Sequence, residues 1–381
     1  MSISSIEAGI DKTRSQTRIV VAMSGGVDSS VTAALYAEAG YDVVGITLQL
    51  YDDGAAHGRV GACCAGQDIP DARRVAAHLG IAHYVLDYEN RFKAEVIEGF
   101  ADSYLRGETP VPCITCNQTV KFRDLMAAAA DLGADALATG HYVRRALGDA
   151  GPEMHRAHDP ERDQSYFLFA TTAEQLAFLR FPLGDIAKRD VRRHAERLGL
   201  AVAEKPDSQD ICFVPGGNYA AVIERLRPGA AEAGDIVNRA GEVLGRHEGI
   251  IHYTVGQRRG LGIAAPEPLY VVGVDAAKRT VTVGPKAALL CDRVSVATAL
   301  FLDPGMTPGS EHDVTVRLRS THPGAPARLM VLEDGRAEIH LNQPEAATAR
   351  GQAAVCYREN RLLGGGWISA TGRSAALEAA A

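Results

Sequence analysis

The first half of the chain alternates short apolar runs with amphipathic stretches. Runs rich in β-branched residues predict strands at 18–23, 42–51, 81–86 and 135–140. The stretches between them predict helices that run to Gly40, from near Pro70 to Leu79, over about 91–106, and from Asn117 to Leu132. Strands that alternate with helices in this way are typical of a parallel, doubly wound sheet, which binds ligands at the carboxyl ends of its strands.

From about residue 218 the pattern changes to short β-rich runs separated by glycine and proline. These runs lie at 235–237, 250–254, 269–275, 280–283, 314–318, 337–341 and 353–357. Such a series indicates a small mixed domain followed by a β-barrel. We therefore expect three domains: an α/β domain over 1–217, a small mixed α/β domain over 218–287 and a barrel over 288–381.

Composition is that of a soluble globular protein. The 381 residues include 46% hydrophobic residues and carry a net charge of −7, which argues against non-specific coating of nucleic acid but allows a local basic face. No apolar run is long enough to span a bilayer and no signal peptide is present, so we expect no membrane contact. Seven cysteines without an export signal indicate reactive thiols and a cytoplasmic location.

A glycine-bearing loop, Ser24–Ser30 (SGGVDSS), joins the first predicted strand to the first predicted helix. Gly25 and Gly26 let the backbone approach an anion, and the helix N-terminus favours negative charge. The loop lacks the lysine of a Walker A motif and resembles the signature of the N-type ATP pyrophosphatases, which split ATP between its α and β phosphates. Asp28 would repel phosphate unless a cation lies between them, so we expect bound Mg²⁺.

Two cysteine-bearing stretches interrupt the α/β pattern. In residues 107–123 we expect Pro110 and Pro112 to hold the chain extended before Cys113 and Cys116, with Asn117 capping the next helix. Lys121, one turn after Cys116, is expected to lower the pKa of that thiol. A second loop, 204–217, carries Cys212; the other cysteines, Cys63, Cys64, Cys291 and Cys356, are expected to be structural.

Basic residues cluster at two further places. Residues 187–199 carry five lysines and arginines, consistent either with a solvated helix face or with a surface that faces RNA. Arg258 and Arg259 follow Gln257 between glycines, an arrangement suited to gripping phosphate.

The motifs together are more specific than any one of them. In order they are SGGVDSS, CNQTVKF, TGHY, RDQSYFLF, DSQDICF, HYTVGQRRGLGI and LGGGWI. This ordered set, over roughly residues 17–368, resembles the tRNA-specific 2-thiouridylases. The resemblance implies an adenine nucleotide alpha hydrolase-like sheet, then a small mixed domain and a C-terminal β-barrel. It also implies ATP-dependent adenylation of the C2 oxygen of a wobble uridine, and sulfur transfer from a persulfide cysteine to give 2-thiouridine, AMP and diphosphate.

The resemblance also assigns residues and partners. It places the ATP phosphates at Ala22, Met23, Ser24, Gly25, Gly26, Val27, Asp28 and Ser29, and the adenosine at Leu48 and Gly140. Cys116 matches the nucleophile and Cys212 the persulfide carrier. With the basic pair above, the expected tRNA contacts are Val111, Pro112, Cys113, Lys121, Arg162, Asp163, Gln164, Arg258, Arg259, Arg317 and Arg319. The implied partners are tRNAs of the Lys, Glu and Gln type and a sulfur donor, either a cysteine desulfurase or a sulfur relay protein.

One departure from the family pattern affects the chemistry. Many members have Asn-Pro-Asp, with a proposed acid/base aspartate, where this chain has Val111-Pro112-Cys113. Cys113, Cys116 and Cys212 could together hold a 4Fe–4S cluster. Alternatively, the Cys113–Cys116 pair could cycle as a disulfide. Both alternatives stay open at this stage.

Two other functions fit part of the sequence. A small-molecule ligase of the same ATP class, such as an argininosuccinate or amide-forming synthetase, would explain the loop but not the cysteines or the barrel. A non-catalytic RNA-binding or sulfur-carrier module would not need the intact Asp28 and serines of the loop.

Overall fold

A computed structural model describes residues 7–51, 65–207, 211–346, 348–375 and 377. The chain divides into two compact units. Unit 1 comprises residues 1–95, 113–216 and 360–362, and unit 2 comprises 96–112, 217–359 and 363–381. Cys63 and Cys64, which are predicted to be structural, lie outside the described residues.

The helices and strands below are those of the described residues. The α-helices are α1 Val27–Glu38, α2 Ala65–Leu79, α3 Glu89–Phe92, α4 Glu98–Leu105, α5 Pro112–Cys116, α6 Leu125–Asp131, α7 Ala173–Phe178, α8 Lys188–Arg197 and α9 Tyr219–Leu226. The strands are β1 Arg18–Ala22, β2 Asp42–Gln49, β3 Ala82–Asp87, β4 Ala136–Ala138, β5 Val143–Gly148, β6 Gly151–Arg156, β7 Leu179–Arg180, β8 Gly234–Val237, β9 Val243–His247, β10 Tyr270–Asp275, β11 Thr280–Gly284, β12 Leu290–Phe301, β13 Glu311–Arg317, β14 Ala325–Val331, β15 Ala337–Ala346, β16 Ala353–Arg358 and β17 Arg361–Gly372. None of these helices is long and apolar enough to cross a membrane.

Unit 1 is built on a five-stranded parallel sheet in the order β3-β2-β1-β4-β7. The central strand β1 contributes Ile19, Val20 and Val21, all fully buried, as expected of a strand covered on both faces. Val31 of α1 and Val191 of α8 belong to the same core. The predicted fold class is confirmed, because the apolar runs became parallel strands and the stretches between them supplied the helices.

Unit 2 contains two β structures. Strands β8–β11 form a four-stranded sheet in the order β10-β11-β8-β9. Strands β12–β17 form a six-stranded barrel, which closes through antiparallel pairing of β12 with β17. Alternate side chains of the barrel strands, such as Val294, Leu329, Ile339 and Cys356, fill its interior.

Several local predictions differ from the structure. The strand predicted over 250–254 begins instead with a 3₁₀ turn, Ile250–His252. The stretch 144–162 was not assigned a strand but contains the hairpin β5–β6. In unit 2, four strands were missed, namely β9, β12, β14 and β17.

The largest correction concerns the segment that carries Cys113 and Cys116. Pro112 does not extend the chain; it is the first residue of α5, where a proline costs no hydrogen bond and its fixed φ suits a helix. Asn117 is not a cap, because the helical chain continues through a π-helical stretch, Asn117–Asp124, into α6. Cys113 and Cys116 therefore lie on a helix rather than in a loop.

Three consecutive glycines in β17 allow the barrel to close. A Cβ on Gly365 would lie 2.3 Å from the Ala354 carbonyl oxygen, and one on Gly366 would lie 2.5 Å from Val296 Cγ1. At Gly364 a Cβ would lie 2.2 Å from the Leu300 carbonyl oxygen. The β12–β17 register shifts between Ala297 and Leu300. Gly364 and Gly366 contact β12 beside this shift, whereas Gly365 contacts β16.

We expect Gly365→Ala to lower barrel stability by about 1–3 kcal/mol, because the added methyl group must displace backbone rather than a flexible side chain. Thermal unfolding followed by calorimetry measures the shift. The matched control is Gly273→Ala, where a Cβ would meet only Thr282 Cβ at 3.9 Å. Equal unfolding temperatures for the two variants would contradict this account of the glycines in β17.

Candidate active site

The glycine loop follows β1 and leads into α1 at the carboxyl end of the sheet of unit 1. Its hydroxyl groups shape the loop: Ser29 Oγ accepts from the Ser24 N–H at 3.1 Å, and Ser30 Oγ donates to the Gly26 carbonyl at 2.8 Å. Gly25 has φ of +76°, and a Cβ there would lie 2.2 Å from the Asp68 carbonyl oxygen. Only glycine fits this position.

The end of β4 meets the same loop. A Cβ on Gly140 would lie 2.9 Å from both the carbonyl carbon of Asp28 and the amide nitrogen of Ser29. The structure therefore brings together the residues 22–29 and Gly140 that were predicted to bind ATP. Leu48 lies near the end of the adjacent strand β2, where it pairs with Leu86 of β3.

Asp28 is held by two residues that the sequence analysis did not assign to the site. Lys188 Nζ lies 2.8 Å from both carboxylate oxygens, and the Tyr142 hydroxyl donates to Oδ1 at 2.7 Å. The Lys188 side chain is only 9% exposed, so its ammonium group is shielded from water, whereas the Asp28 side chain is 30% exposed. Burial, then the neighbouring Asp28 carboxylate, raises the pKa of Tyr142 and keeps its phenol protonated.

One sequence signal could have found Lys188. It is the first residue of α8, and a cation at a helix N-terminus is electrostatically disfavoured. Such a choice indicates that the side chain serves something other than its own helix. Tyr142 lies within the TGHY motif, where the sequence alone did not indicate which side chain faces the loop.

A second lysine, Lys205, lies in the segment that precedes Cys212 and contacts the glycine loop. Lys205 Nζ donates to the Gly25 carbonyl at 3.0 Å and pairs with Asp68 and Asp71, each at 2.6 Å. Burial alone would lower the pKa of Lys205, but the two aspartates raise it above the ordinary value. The charged side chain of Lys205 therefore helps to hold the glycine loop in shape.

Asp207 is the other charged anchor of this segment. Its carboxylate accepts from Lys188 at 2.7 Å, Arg162 at 2.9 Å and Arg192 at 3.1 Å. Burial alone would raise the pKa of Asp207, but the hydrogen bond and charge of Lys188, with the two arginines, hold that pKa below its usual range. Part of the basic stretch on α8 therefore has a structural role. The Lys188 and Arg192 side chains pair with carboxylates of unit 1 and do not simply face solvent.

The three cysteines of interest differ in environment. Cys116 is buried, Cys113 is exposed and Cys212 is half-buried. Burial raises the pKa of the Cys116 thiol, and the nearby charge of Lys121 opposes this only in part. The expected direction of the lysine effect is therefore correct, but the net shift is opposite to the one predicted, because desolvation is the larger cause.

The cysteines do not come together as a metal site. In the described part of the chain, no three His, Cys, Asp or Glu side chains are grouped so that they could hold a metal ion. Cys113 and Cys116 also differ in environment, since the first thiol is exposed and the second is buried. Binding of a cluster by Cys113, Cys116 and Cys212 stays a prediction. The described residues do not bring three such ligands together.

Comparison with known proteins decides the family. A curated tRNA-specific 2-thiouridylase, MnmA, from Rhodospirillum centenum is 63% identical over 377 residues, covering 97% of this chain and 96% of that protein. MnmA proteins from Paracoccus denitrificans and Hyphomonas neptunium are 61% and 58% identical, each covering 95% of this chain and 94% and 93% of their own lengths.

The chain belongs to the tRNA-specific 2-thiouridylase family.

Three family models match successive parts of this 2-thiouridylase family member. They are described as a tRNA methyl transferase HUP domain over 17–216, a tRNA methyl transferase PRC-barrel domain over 223–285 and an aminomethyltransferase beta-barrel domain over 296–368. The first model covers the parallel sheet and the glycine loop.

The residues at which the 2-thiouridylase resemblance predicts tRNA contacts fall into two groups. In the first, the side chains already hold the fold: Gln164 Oε1 accepts from the Tyr142 N–H, Asp163 accepts from the Ala157 and Ser165 N–H groups, and Arg162 binds Asp207. Arg317 and Arg319 likewise donate to backbone carbonyls, those of His322, Ser320 and Ala346.

The second group holds the remaining predicted contacts, which differ in exposure. Arg258 and Arg259 are exposed, and no ion pair holds either guanidinium among the residues that the structure describes. Lys121 and Val111 are half-buried, and Pro112 is buried. Nothing in the geometry tests whether any of these residues contacts tRNA, so the assignments stay predictions.

We expect the alkylation rate of Cys116 to rise with pH at a midpoint above about 8.5, the ordinary thiol value, because burial favours the neutral thiol. Lys121→Met should move the midpoint further up, since it removes the charge that stabilises the thiolate. Mass spectrometry of iodoacetamide-treated protein measures the rate. Lys93→Met, which removes an exposed lysine, is the control. A midpoint at or below the ordinary value would contradict this description of the thiol.

Proposed function

We propose that the protein is a tRNA-uridine 2-sulfurtransferase. The observation that carries this proposal is identity of about 60% to proteins named tRNA-specific 2-thiouridylase over almost the full chain. The structure adds support, because a glycine loop without a Walker lysine lies at the ligand edge of a parallel sheet. The substrate is tRNA with a wobble uridine, of the Lys, Glu and Gln type, and the reaction takes place in the cytoplasm.

ATP activates the uridine. The loop residues 22–29 bind the phosphates, and the C2 oxygen of uridine attacks the α-phosphorus while diphosphate leaves. Free backbone N–H groups at the start of α1 favour the negative charge. Adenylation is needed because a carbonyl oxygen is a poor leaving group, whereas AMP leaves readily with the C2–O bonding electrons.

Sulfur transfer follows in two steps. The terminal sulfur of a Cys212 persulfide attacks C2 and AMP leaves, so that sulfur bridges C2 and Cys212. The Cys116 thiolate then attacks Cys212 Sγ, the sulfur–sulfur bond breaks, and 2-thiouridine is released with its new C=S bond. Cys116 and Cys212 are left as a disulfide, which a dithiol reductant must reduce before a sulfur donor protein, a cysteine desulfurase or relay, reloads Cys212.

A 4Fe–4S cluster is the less suitable form of the sulfur carrier. Three thiolates must converge on one cluster, whereas the described residues contain no such grouping and Cys113 and Cys116 differ in exposure. We therefore derive no step through iron. Mg²⁺ accompanies ATP chiefly through the phosphates, since Asp28 is already paired with Lys188.

We expect Cys116→Ser and Cys212→Ser each to abolish 2-thiouridine formation while ATP still binds, because a hydroxyl can neither carry a persulfide nor break the sulfur–sulfur bond. Nucleoside mass spectrometry of tRNA and equilibrium dialysis with ATP measure the two properties. Cys291→Ala, at a barrel cysteine, is the control and should stay active.

The same assay of 2-thiouridine formation distinguishes the relay mechanism from a cluster mechanism. In the relay mechanism Cys113→Asp retains activity and anaerobically purified protein holds no stoichiometric iron or labile sulfide. Loss of activity in Cys113→Asp together with bound iron would replace the relay by the cluster. ATP–diphosphate exchange driven by a small substrate without tRNA would favour the ligase alternative instead.

We expect the double variant Arg258→Gln/Arg259→Gln to weaken binding of all substrate tRNAs alike and to reduce the slope of log affinity against log salt by about 1–2, because free guanidinium groups contact phosphates. Salt titration of tRNA binding measures both. Arg246→Gln/Arg279→Gln removes the same charge from arginines paired with Asp235 and Glu232 and is the matched control. Equal effects of the two double variants would rule out a specific role for the exposed pair.

A further inference from the structure

Cys116 is followed directly by the π-helical stretch Asn117–Asp124. The wider turns show at the end of the stretch, where the Leu125 N–H donates to the Val120 carbonyl, five residues earlier. π-helical turns are rare and are frequently found at functional sites. The stretch therefore needs an interaction that holds it, and its place beside a candidate nucleophile indicates a role.

The width of a helical turn decides which side chains share a face. In an α-helix, residues five apart lie about 140° apart around the axis, so their side chains point in different directions. In a π-helix the backbone hydrogen bonds join residues five apart, which therefore lie nearly above one another. Lys121 is five residues after Cys116, and its charge reaches the Cys116 thiol, where it partly opposes the effect of burial on the pKa. The π-helical turns thus bring this lysine to the face of the thiol.

A network of two arginines and two carboxylates holds the end of the stretch. Arg123 Nη2 donates to both carboxylate oxygens of Glu95, at 2.7 and 2.8 Å, and Arg123 Nε donates to Asp124 at 2.9 Å. Arg91 Nε lies 2.6 Å from Asp124 and 3.3 Å from Glu95. Asp124 is buried, so its charge needs these arginines. The network ties the π-helical stretch to residues 91 and 95, which lie about thirty positions earlier in the chain.

Lys121 is the charged group that acts on Cys116 in this arrangement. Burial is the larger cause of the raised pKa of the thiol, and the lysine is the opposing one. The His141 ring, whose centroid lies 5.9 Å from that of Phe122, adds no charge, because burial first and Lys121 second hold its pKa well below the ordinary value. The position of one ammonium group therefore controls the share of thiolate at Cys116.

We propose that Glu95 and Arg123 are positioning residues for the Cys116 nucleophile: their ion pair holds the π-helical stretch, so that Lys121 lies beside the thiol. Without the pair the stretch relaxes toward ordinary helical turns, and Lys121 rotates away from Cys116. The role rests on the proposed function, in which Cys116 must form a thiolate to break the sulfur–sulfur bond at Cys212.

The test measures the alkylation rate of Cys116 by iodoacetamide and mass spectrometry, in the reduced full-length protein at about pH 8, below the ordinary thiol midpoint. Glu95→Ala should lower the rate about three- to tenfold, because Lys121 no longer stabilises the thiolate. The sign is diagnostic. Loss of the Glu95 charge with Lys121 still in place would favour the thiolate and raise the rate. Glu38→Ala, which breaks a pair of similar geometry with Arg197 at 2.8 and 2.7 Å, is the matched control and should react as wild type.

Two further variants show whether the effect passes through Lys121. In the Lys121→Met background, Glu95→Ala should cause no further loss, because the side chain that it positions is absent. Arg123→Lys keeps the positive charge but cannot bind Glu95 and Asp124 together, so it should also lower the rate, and it provides the test if Glu95→Ala does not fold. In each case the curve of rate against pH should move to higher pH and reach the wild-type plateau.

The outcomes separate this inference from the proposed function. An unchanged or raised rate in folded Glu95→Ala, a wild-type rate in Arg123→Lys, a further loss in the Lys121→Met background, or a lower plateau on an unshifted curve would each overturn the positioning role. The sulfurtransferase proposal would then stand, because it needs Cys116 itself and not this pair. Failure of the wild-type protein to form 2-thiouridine in tRNA would instead overturn the proposed function without changing the alkylation result.

Discussion

The buried ammonium group of Lys188 is the interaction on which the site depends. Moving a charged amine out of water costs several kcal/mol, and only well-placed anions offset that cost. Here Asp28 and Asp207 provide them from opposite sides, at 2.8 and 2.7 Å. The start of α1, the start of α8 and residue 207 therefore hold one another in place, because displacing any one of them removes a partner from a buried or half-buried charge.

The Cys116 thiol follows the opposite rule. At Cys116 no anion or cation is close enough to outweigh desolvation, so burial dominates and the pKa of the thiol rises despite Lys121. A neutral thiol resists oxidation, because the thiolate is the reactive form. The protein thus pairs Lys188 and Lys205 with carboxylates and keeps the Cys116 thiol neutral by burying it, both within unit 1.

The same pairing of charges inside the fold limits how many cations this acidic protein can present to RNA. Many of its arginines are bound internally: Arg162 and Arg192 to Asp207, and Arg317 and Arg319 to backbone carbonyls. These side chains stabilise turns and loops, so their replacement would change the fold locally as well as the charge. Arg258 and Arg259, exposed between glycines, are the basic pair whose charge is not used in this way.

The sequence alone determined what depends on local chemistry. β-branched runs and glycines predicted the parallel sheet and the phosphate loop, and the ordered motifs predicted the family. It did not predict β17 because its three glycines have low strand propensity, and only their close contacts with β12 and β16 require them there. Tertiary structure also decided the partners of Asp28 and Gly25, since Lys188 and Lys205 lie 160 and 180 residues away. No local pattern specifies an ion pair across that separation; the pair exists because the folded sheet brings α8 and residue 205 to the loop.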